Sequence, residues 1–432
     1  MINESCSYKN ACGQNLARTQ AADQNERERN TTMQLNNPYE RLHNYPIVVF
    51  HGFAGFGDDE LMNKFIPYFG WYNNIRIKDY AAKYDKEFYV PSISGFSSMW
   101  DRCCEMYAQI VGGTVDYGKA HSEKYGHNRY GRTYKGVVPD WGKLDAEGKL
   151  KKIHVMGHSY GGPTVRCFVH MMAAGSEEER AVTPAGELSG LFEGGHEDWI
   201  ASCTTLAGAN DGISFLYAIE KPKDKIALAV LSGLSWLGAF KPAAKFYDPE
   251  LDEWGITMNT QTGEPRSKDW KKRLRDYYYS DGDCVLDDLI IHKFRKTSES
   301  WECHPNTYYF AYYATKSYEK NGVHLPKKDM IILMKAFSYI VGRYQGNPAD
   351  ANHAEVTKEW QENDGLVNVM SGRAPRTKPW TKYVDDKDLK PGIWYDMPIE
   401  DKDHMSYMGS KETKEDFGVF WYEIFRRLDN LK

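Results

Sequence analysis

The segment KIHVMGHSYGGP, residues 152–163, places Ser159 in a Gly-x-Ser-x-Gly pattern between Gly157 and Gly161. An apolar run precedes the pattern and a helical pattern follows it. A strand, a sharp turn and a helix in that order present a serine hydroxyl above the edge of a sheet. Glycines permit the turn, and the amino terminus of the helix favours negative charge. The segment therefore predicts a nucleophilic serine, although the short pattern alone also arises by chance.

Acyl transfer by such a serine requires two N–H donors for the oxyanion that forms. The residue after the nucleophile supplies one donor, which here is Tyr160. A loop after an early strand supplies the other, and VVFHGF (48–53) makes Phe53 the candidate. We expect His51 and Gly52 to shape the turn of this loop, and His51 and His158 to have structural roles.

Thirteen histidines compete as the general base. In α/β-hydrolases the chain order is serine, acid, histidine, with the histidine after the last strand. His404 fits this order, because it lies in a loop between the apolar run GIWYDM and the final amphipathic segment KEDFGVFWYEIFRRL. An exposed loop histidine without a catalytic role is the competing interpretation.

Two aspartates in Asn-Asp-Gly triplets compete as the acid, Asp211 and Asp364. Counting strands puts Asp211 after the sixth strand and Asp364 beyond the seventh. The commoner arrangement has the acid after the seventh strand, which favours Asp364, but an acid after the sixth also occurs. Both triplets also suit plain turns, since Asn, Asp and Gly are all turn formers.

Six short apolar runs predict the strands that position these residues. Helical patterns separate several of them, and strands alternating with helices predict an α/β fold with a mostly parallel sheet covered on both faces. The runs are 46–50, 87–94, 152–157, 199–208, 306–314 and 392–397.

Composition limits the class of protein. The chain has 432 residues, of which 41% are hydrophobic and 27% charged, as is ordinary for a globular protein. A net charge of −5 without a basic stripe argues against a nucleic-acid partner. The sequence contains no run of 18 apolar residues, so we expect no transmembrane anchor. The oligomeric state is open, with a monomer favoured.

The polar residues 1–44 predict an N-terminal extension to a domain of residues 45–432. Their sequence contains no apolar segment typical of a signal peptide. The chain has eight cysteines. A disulfide between Cys6 and Cys12 is an open alternative. Because the sequence has no CxxC pair, we do not expect a cysteine metal site. Residues 229–247 are amphipathic and rich in Leu, Ala and Trp, so we expect a helical lid at about 212–247. A helix packed on the surface is the alternative.

Several motifs in order carry a family resemblance: YPIVVFHGFAGF, the stretch from Trp100 to Gly136, GHSYGG, LFEGGHEDWIASCTTL, HPNTYYFAYYATKSY, ENDGLVNV and DHM. Together they resemble the zinc-containing lipases of the thermoalkalophilic Bacillus type and of staphylococci. The resemblance spans about residues 46–430. It implies an α/β-hydrolase fold with a zinc-binding extension and a helical lid. It also implies secretion.

The same resemblance assigns the catalytic residues. The triad falls on Ser159, Asp364 and His404, and the oxyanion donors fall on Phe53 and Tyr160. Asp211 matches a position that is not the acid of the family.

Metal ligands also follow from the resemblance. His121 and His127 are six positions apart, which does not place both on one helix face, so we expect a loop at Gly126. The resemblance adds Asp101 and Asp283 as ligands of a zinc ion, and Asp281, Asp287 and Asp288 compete with Asp283. The extension then comprises about residues 100–136 and 275–290. Two surface histidines without a metal are the alternative.

Four protein ligands leave no open position on zinc, so we expect a structural metal. The calcium site of the family falls two and seven residues after His404. Ser406 and Lys411 stand there, and a charged lysine cannot ligate calcium. We therefore expect that this calcium site is lost.

The sequence therefore predicts a serine carboxylic-ester hydrolase that acts on lipid-like esters, such as triacylglycerols, at an apolar interface. A short-chain esterase or polyester hydrolase is the main alternative. A hydrolase that uses zinc directly, or a non-catalytic binding protein on the same scaffold, fits less well, because the implied metal shell is closed and all triad positions are filled.

Overall fold

The computed structural model describes residues 41–70, 75–219, 233, 241–279, 283–353 and 355–432. Most of the N-terminal extension, including Cys6 and Cys12, lies outside the described residues. So do Asp281 and most of the expected lid. Within the described ranges, no helix combines the length and apolar character that a membrane span requires.

Seven parallel strands of the described residues form the central sheet, in the order β10-β11-β7-β6-β5-β1-β2. The expectation of a mostly parallel sheet flanked by helices is confirmed. The strand bounds are β1 Ile47–Phe50, β2 Phe88–Tyr89, β5 Ile153–His158, β6 Ile200–Leu206, β7 Tyr308–Tyr312, β10 Trp380–Lys382 and β11 Trp394–Asp396.

Two further sheets of the described residues have two antiparallel strands each. One pairs β3 (Gly113–Asp116) with β4 (Tyr130–Tyr134), and the other pairs β8 (Ser317–Lys320) with β9 (Val323–Pro326). The apolar runs of the sequence did not predict them, because most of their residues are exposed or half-buried and few are apolar.

Helices lie between the strands along the chain. The longer ones are α3 Met99–Val111, α5 Gly161–Ala174, α10 Trp270–Tyr279, α12 Ile291–Ser298, α13 Ile332–Val341 and α15 Lys414–Asp429. The shorter ones are α1 Leu61–Phe65, α2 Ile77–Ala82, α4 Lys119–Tyr125, α6 Glu177–Val182, α7 Gly190–Glu193, α8 Ser214–Ala218, α9 Lys241–Phe246, α11 Val285–Leu289 and α14 Val369–Gly372.

The core consists of two apolar layers, one on each face of the sheet. Strand β1 shows the division, because Ile47 and Val49 pack in one layer while Val48 and Phe50 pack in the other. Side chains alternate between the faces of a strand, so a strand buried on both sides is apolar throughout. This explains why short continuous apolar runs marked the central strands in the sequence.

A buried ion pair fastens the last helix to the sheet. The ammonium group of Lys86, which precedes β2, contacts the carboxylate of Asp429 at the end of α15, and both side chains are 0% exposed. Burial lowers the pKa of Lys86, while the charge of Asp429 opposes that shift. Breaking a buried pair leaves an uncompensated charge, which costs far more than breaking an exposed one.

We therefore expect Lys86→Met to lower the free energy of unfolding by about 3–5 kcal/mol. Lys272→Met is the matched control, because Lys272 pairs with Asp276 on the exposed side of α10, where an ion pair contributes little. Denaturant unfolding of both variants tests this. Equal stability of the two variants would contradict the role given to the buried pair.

Candidate active site

Ser159 lies on a sharp turn between β5 and α5. Its φ of +57° is in the left-handed region, which costs energy for a residue with a side chain. A Cβ atom on Gly157 would collide with the backbone of Gly161, and one on Gly161 would collide with the backbone of Phe50. The two glycines of the motif therefore allow β5 to pass directly into α5 and hold Ser159 at the carboxyl edge of the sheet.

The structure brings Ser159, His404 and Asp364 into one hydrogen-bonded chain. Nε2 of His404 lies 2.9 Å from Oγ of Ser159, and its Nδ1 lies 2.9 Å from Oδ2 of Asp364. A carboxylate only accepts, so Nδ1 carries the proton and Nε2 is left to accept from the serine hydroxyl. All three residues are buried. The arrangement can remove a proton from Ser159 and stabilise the resulting imidazolium.

Asp364 is held by its own turn. Its Oδ1 accepts from the N–H groups of Leu366 and Val367 at 3.0 and 2.8 Å, and its backbone carbonyl accepts from the N–H of His404 at 2.8 Å. The turn character of the Asn-Asp-Gly triplet and a role for its carboxylate are thus compatible.

Asp211 lies elsewhere. Its carboxylate is 3.8 Å from the guanidinium of Arg295, and its backbone N–H donates to Oγ of Ser371. Burial raises the pKa of Asp211, against the opposing charges of Arg295 and Arg166. Among the described residues it makes no hydrogen bond to His404, so its triplet is a buried turn.

Lys316 links the loops that carry the acid and the histidine. Its backbone N–H donates to the carbonyl of Asn363 at 3.0 Å, next to Asp364, and its Nζ donates to the carbonyl of Asp401 at 3.0 Å, near His404. This contact could not be predicted from the sequence, because it depends on the tertiary approach of two loops.

Of the two predicted oxyanion donors, Tyr160 directly follows the nucleophile and begins the passage into α5. Phe53 lies in the segment after β1, and Gly52 brings that segment against the nucleophile. A Cβ atom on Gly52 would lie 2.8 Å from Cβ of Ser159 and 2.9 Å from Oη of Tyr68. From the sequence we expected Gly52 only to help shape the turn, although a glycine after a buried strand can also signal such a close approach.

His158 connects the two sides of the site. The N–H of Gly52 donates to Oη of Tyr68 at 2.7 Å, and that hydroxyl donates to Nδ1 of His158 at 2.9 Å. Nε2 of His158 then donates to the carbonyl of His404 at 3.1 Å. Burial and the neighbouring His404 lower the pKa of His158 to about 3. It is therefore neutral at physiological pH and fits the structural role expected from the sequence.

His51 is likewise neutral and structural. Its Nδ1 bonds the carbonyl of Gly52 at 3.1 Å, and its Nε2 accepts from the N–H of Ile93 at 3.4 Å. Burial is the main cause, and the positive charge of Arg102 the second, of the lowering of the pKa of His51 to about 3.

A second polar group gathers the four predicted metal ligands. Asp101, His121, His127 and Asp283 each offer a ligand atom, and these atoms all lie within 4.8 Å of one another. His121 lies on α4, which ends at Gly126 with φ +80°, and His127 follows. A short helix thus stands where part of a loop was expected. The left-handed backbone of Gly126 then turns the chain so that His127 lies near His121.

The chemistry of this group fits a cation. Nε2 of both histidines and both oxygens of each aspartate are buried and make no hydrogen bond of good geometry among the described residues. Their contacts are with one another, since Nε2 of His121 lies 3.3 Å from Asp101 and 3.2 Å from Asp283. Such atoms are costly to bury unless something compensates them. Two carboxylates and two imidazoles suit a divalent metal. The group therefore forms a candidate metal site.

Neighbouring residues have other partners. The carboxylate of Asp288 accepts from the N–H of Met99 at 2.6 Å, and Asp287 pairs with Lys293 at 2.9 Å. Trp100 stacks on His121 with ring centroids 4.9 Å apart. Asp101 and Asp283 raise the pKa of His121 to about 9 against the burial that lowers it, so a metal ion has to displace a proton there.

A smaller group contains His43, His154 and Asp429. The ammonium of Lys86 already contacts Asp429, and its charge also acts on both histidines. This group therefore contains its own cation.

Ser406 and Lys411 stand at the positions where the resemblance placed calcium ligands. Oγ of Ser406 donates to Oδ1 of Asp403 at 3.3 Å, and the ammonium of Lys411 donates to the carbonyl of Asp329. Lys411 thus presents a positive charge beside the histidine loop, and loss of the calcium site stays a prediction.

Comparison with known proteins agrees with this geometry. The family model for the lipase-like C-terminal domain matches residues 43–429. Lipase 2 of Staphylococcus aureus (strain MRSA252) is 32% identical over 380 residues, which cover 86% of this chain and 51% of that protein. The chain thus spans about half the length of the curated relatives it matches.

Two solved structures are similar over nearly the whole chain. EstA from Clostridium botulinum has a TM-score of 0.74 and 31% identity, covering 91% of this chain and 90% of that one. Staphylococcus hyicus lipase has a TM-score of 0.76 and 28% identity, covering 91% and 97%.

The close approach at Gly52 yields a prediction. Gly52→Ala should lower the rate at which a fluorophosphonate labels Ser159 by about 5- to 150-fold, because the added methyl group forces the segment of Phe53 away from the nucleophile at a cost of about 1–3 kcal/mol. Gly186→Ala is the control, since a Cβ there meets no atom within 4 Å. Labelling of Gly52→Ala at the wild-type rate would contradict the packing described.

Proposed function

We propose that this chain, which belongs to the family of lipase-like C-terminal domains, is a serine carboxylic-ester hydrolase acting on lipid-like esters. The observation that carries the proposal is the buried hydrogen-bonded chain of Ser159, His404 and Asp364 at a nucleophile elbow. The similarity to Lipase 2 of Staphylococcus aureus and to Staphylococcus hyicus lipase supports the same class.

In the first half of the reaction, Ser159 Oγ attacks the ester carbonyl while Nε2 of His404 takes its proton. Asp364 keeps Nδ1 protonated, so that Nε2 is free to act as a base, and it stabilises the imidazolium that forms. His404 then returns the proton to the departing alcohol, which leaves an acyl group on Ser159. The hydrogen bonds that Asp364 accepts from its turn fix its carboxylate for this role.

The oxyanion of each tetrahedral intermediate is assigned to the backbone N–H groups of Phe53 and Tyr160. Water, activated by His404, releases the acyl group in the second half of the reaction. The neutral histidines beside the site cannot replace His404 as a base, because each is already bonded through both ring nitrogens.

The surface beside Asp364 supports the proposal that the substrate is apolar. On α13, Ile332 and Leu333 are 86% and 58% exposed, while Met334 of the same helix packs against Gly365, next to Asp364. Exposed apolar residues at the rim of a site favour contact with a lipid surface. A lid over the site would open on contact with such a surface. We assign the role of this lid to about residues 212–247.

We propose that the candidate metal site holds zinc. Asp101, His121, His127 and Asp283 would supply four ligands, a closed shell typical of structural sites. Bound there, the ion would cross-link the extension of about residues 100–136 to about residues 275–290. We further propose an extracellular location, where the resemblance to secreted lipases would place the protein.

The triad assignment predicts an asymmetry between the two triplets. Asp364→Asn should lower kcat by about 10⁴-fold, because an amide favours the wrong tautomer of His404. Asp211→Asn, in the matched triplet, should have a far smaller effect. Turnover of a soluble ester and labelling of Ser159 by a fluorophosphonate, with Ser159→Ala as a blank, measure both. A crippled Asp211→Asn beside an active Asp364→Asn would refute the triad.

The structural role of the metal predicts that chelation acts on stability. Removing the ion should lower the melting temperature by several degrees, since binding to the folded state alone stabilises it, while turnover at low temperature changes little. His127→Ala should lower the melting temperature in the same way and abolish its response to chelator. Immediate loss of turnover at an unchanged melting temperature would instead indicate a metal that acts in the reaction.

A further inference from the structure

Arg102 on α3 is a buried cation beside the elbow. Its side chain is 0% exposed. Nη2 donates to the backbone carbonyl of His51, and the guanidinium carbon lies 4.5 Å from the centroid of the Tyr160 ring. Nε and Nη1 are buried with no hydrogen-bond partner among the described residues.

Arg132 is a buried arginine with a structural role, and its contacts can be compared with those of Arg102. It forms ion pairs with Asp248, Glu250 and Asp252 at 3.0, 3.0 and 2.5 Å. Within the described ranges, Arg102 has no such carboxylate contact, and burial lowers its pKa. Burying an uncompensated cation is unfavourable. Glu105 on the same helix acts on Arg102 electrostatically, but its carboxyl oxygens accept from the N–H of Ser94 and the hydroxyl of Tyr117. The guanidinium of Arg102 is therefore not paired in contact with a carboxylate.

The two contacts of Arg102 lie on the two sides of the assigned oxyanion hole. His51 begins the short segment that leads through Gly52 to Phe53, and Tyr160 provides the second donor. The charge also acts beyond these contacts, because it opposes the burial that raises the pKa of Tyr68, whose hydroxyl accepts from the N–H of Gly52. The cation thus faces both segments that must bind negative charge.

We propose that Arg102 is a positioning residue for the oxyanion. Its hydrogen bond to the His51 carbonyl orients the segment that presents the Phe53 N–H. Its positive charge, which no carboxylate contacts among the described residues, adds positive potential where the tetrahedral intermediate becomes negative. A preorganised charge in a site that excludes water is effective because nothing has to reorganise during the reaction. This inference rests on the proposed ester hydrolysis.

Substitution of Arg102 tests the proposal. Arg102→Met should lower kcat for a soluble ester by about 10- to 100-fold, less than the ~10²–10³-fold loss of a direct donor. KM should change little, since the neutral ground state gains little from the charge. A boronic acid that forms a tetrahedral anion on Ser159 should bind more weakly by a similar factor. Arg102→Lys, which keeps the charge, should recover part of both losses.

Arg166→Met is the matched control. Arg166 is also buried, donates to one backbone carbonyl, that of Asn210, and lies over aromatic rings, including Phe294 at 5.3 Å. It contacts neither segment of the assigned oxyanion hole. Its removal should leave both kcat and boronic-acid affinity within about threefold of wild type, whatever it does to the melting temperature.

The outcomes separate this inference from the proposed function. Fluorophosphonate labelling of wild-type Ser159 is measured first, and its failure would refute the proposed function itself. With labelling intact, unchanged boronic-acid affinity in Arg102→Met would overturn the role of Arg102. Equal losses in Arg102→Met and Arg166→Met would overturn it too, since any buried cation would then have the same effect. A loss confined to Arg102→Met, with partial recovery in Arg102→Lys, would support it.

Discussion

The left-handed backbone of Ser159 constrains everything packed around the site. A residue with a side chain holds φ of +57° only where its surroundings leave no alternative. Here β5 must end and α5 must begin within two residues, with glycine backbone in direct contact with the end of β1. That contact requires a parallel pairing of β1 with β5, which the register from Ile47 to Phe50 provides. The sheet and the elbow therefore depend on each other.

Because all central strands are parallel, their carboxyl ends meet at one edge, and residues far apart in the chain meet there. Phe53 follows β1, Ser159 follows β5, and His404 follows β11. Side-chain and backbone contacts then fix their separations. His158 is central, because one neutral ring joins the segment of Gly52, through Tyr68, to the carbonyl of His404. A shift of either loop would break this connection.

The sequence predicted those features that depend on local patterns. Buried strands appear as apolar runs, and the elbow appears as a motif between a strand and a helix. The choice between Asp211 and Asp364 was harder, because both triplets satisfy the same turn chemistry and differ only in tertiary partners. The contacts of Lys316 and the close approach of Gly52 to Ser159 were missed for the same reason. The helix that carries His121 was also missed, because a short polar helix has little apolar periodicity, and the motif spacing alone suggested a loop.

Helix α3 connects the two polar centres. Asp101 faces the candidate metal site and Arg102 faces the elbow, since consecutive helical residues point in different directions. Nearby, Tyr160 donates to Asp288, which accepts from the N–H of Met99 at the start of the same helix. The extension is thus braced against the segment that follows the nucleophile. An ion that fixes Asp101 would also limit movement of Arg102, and through it the orientation of the His51 carbonyl. The metal would then stabilise the fold around the oxyanion segment without contacting the substrate, which agrees with a turnover that changes little when the ion is removed at low temperature.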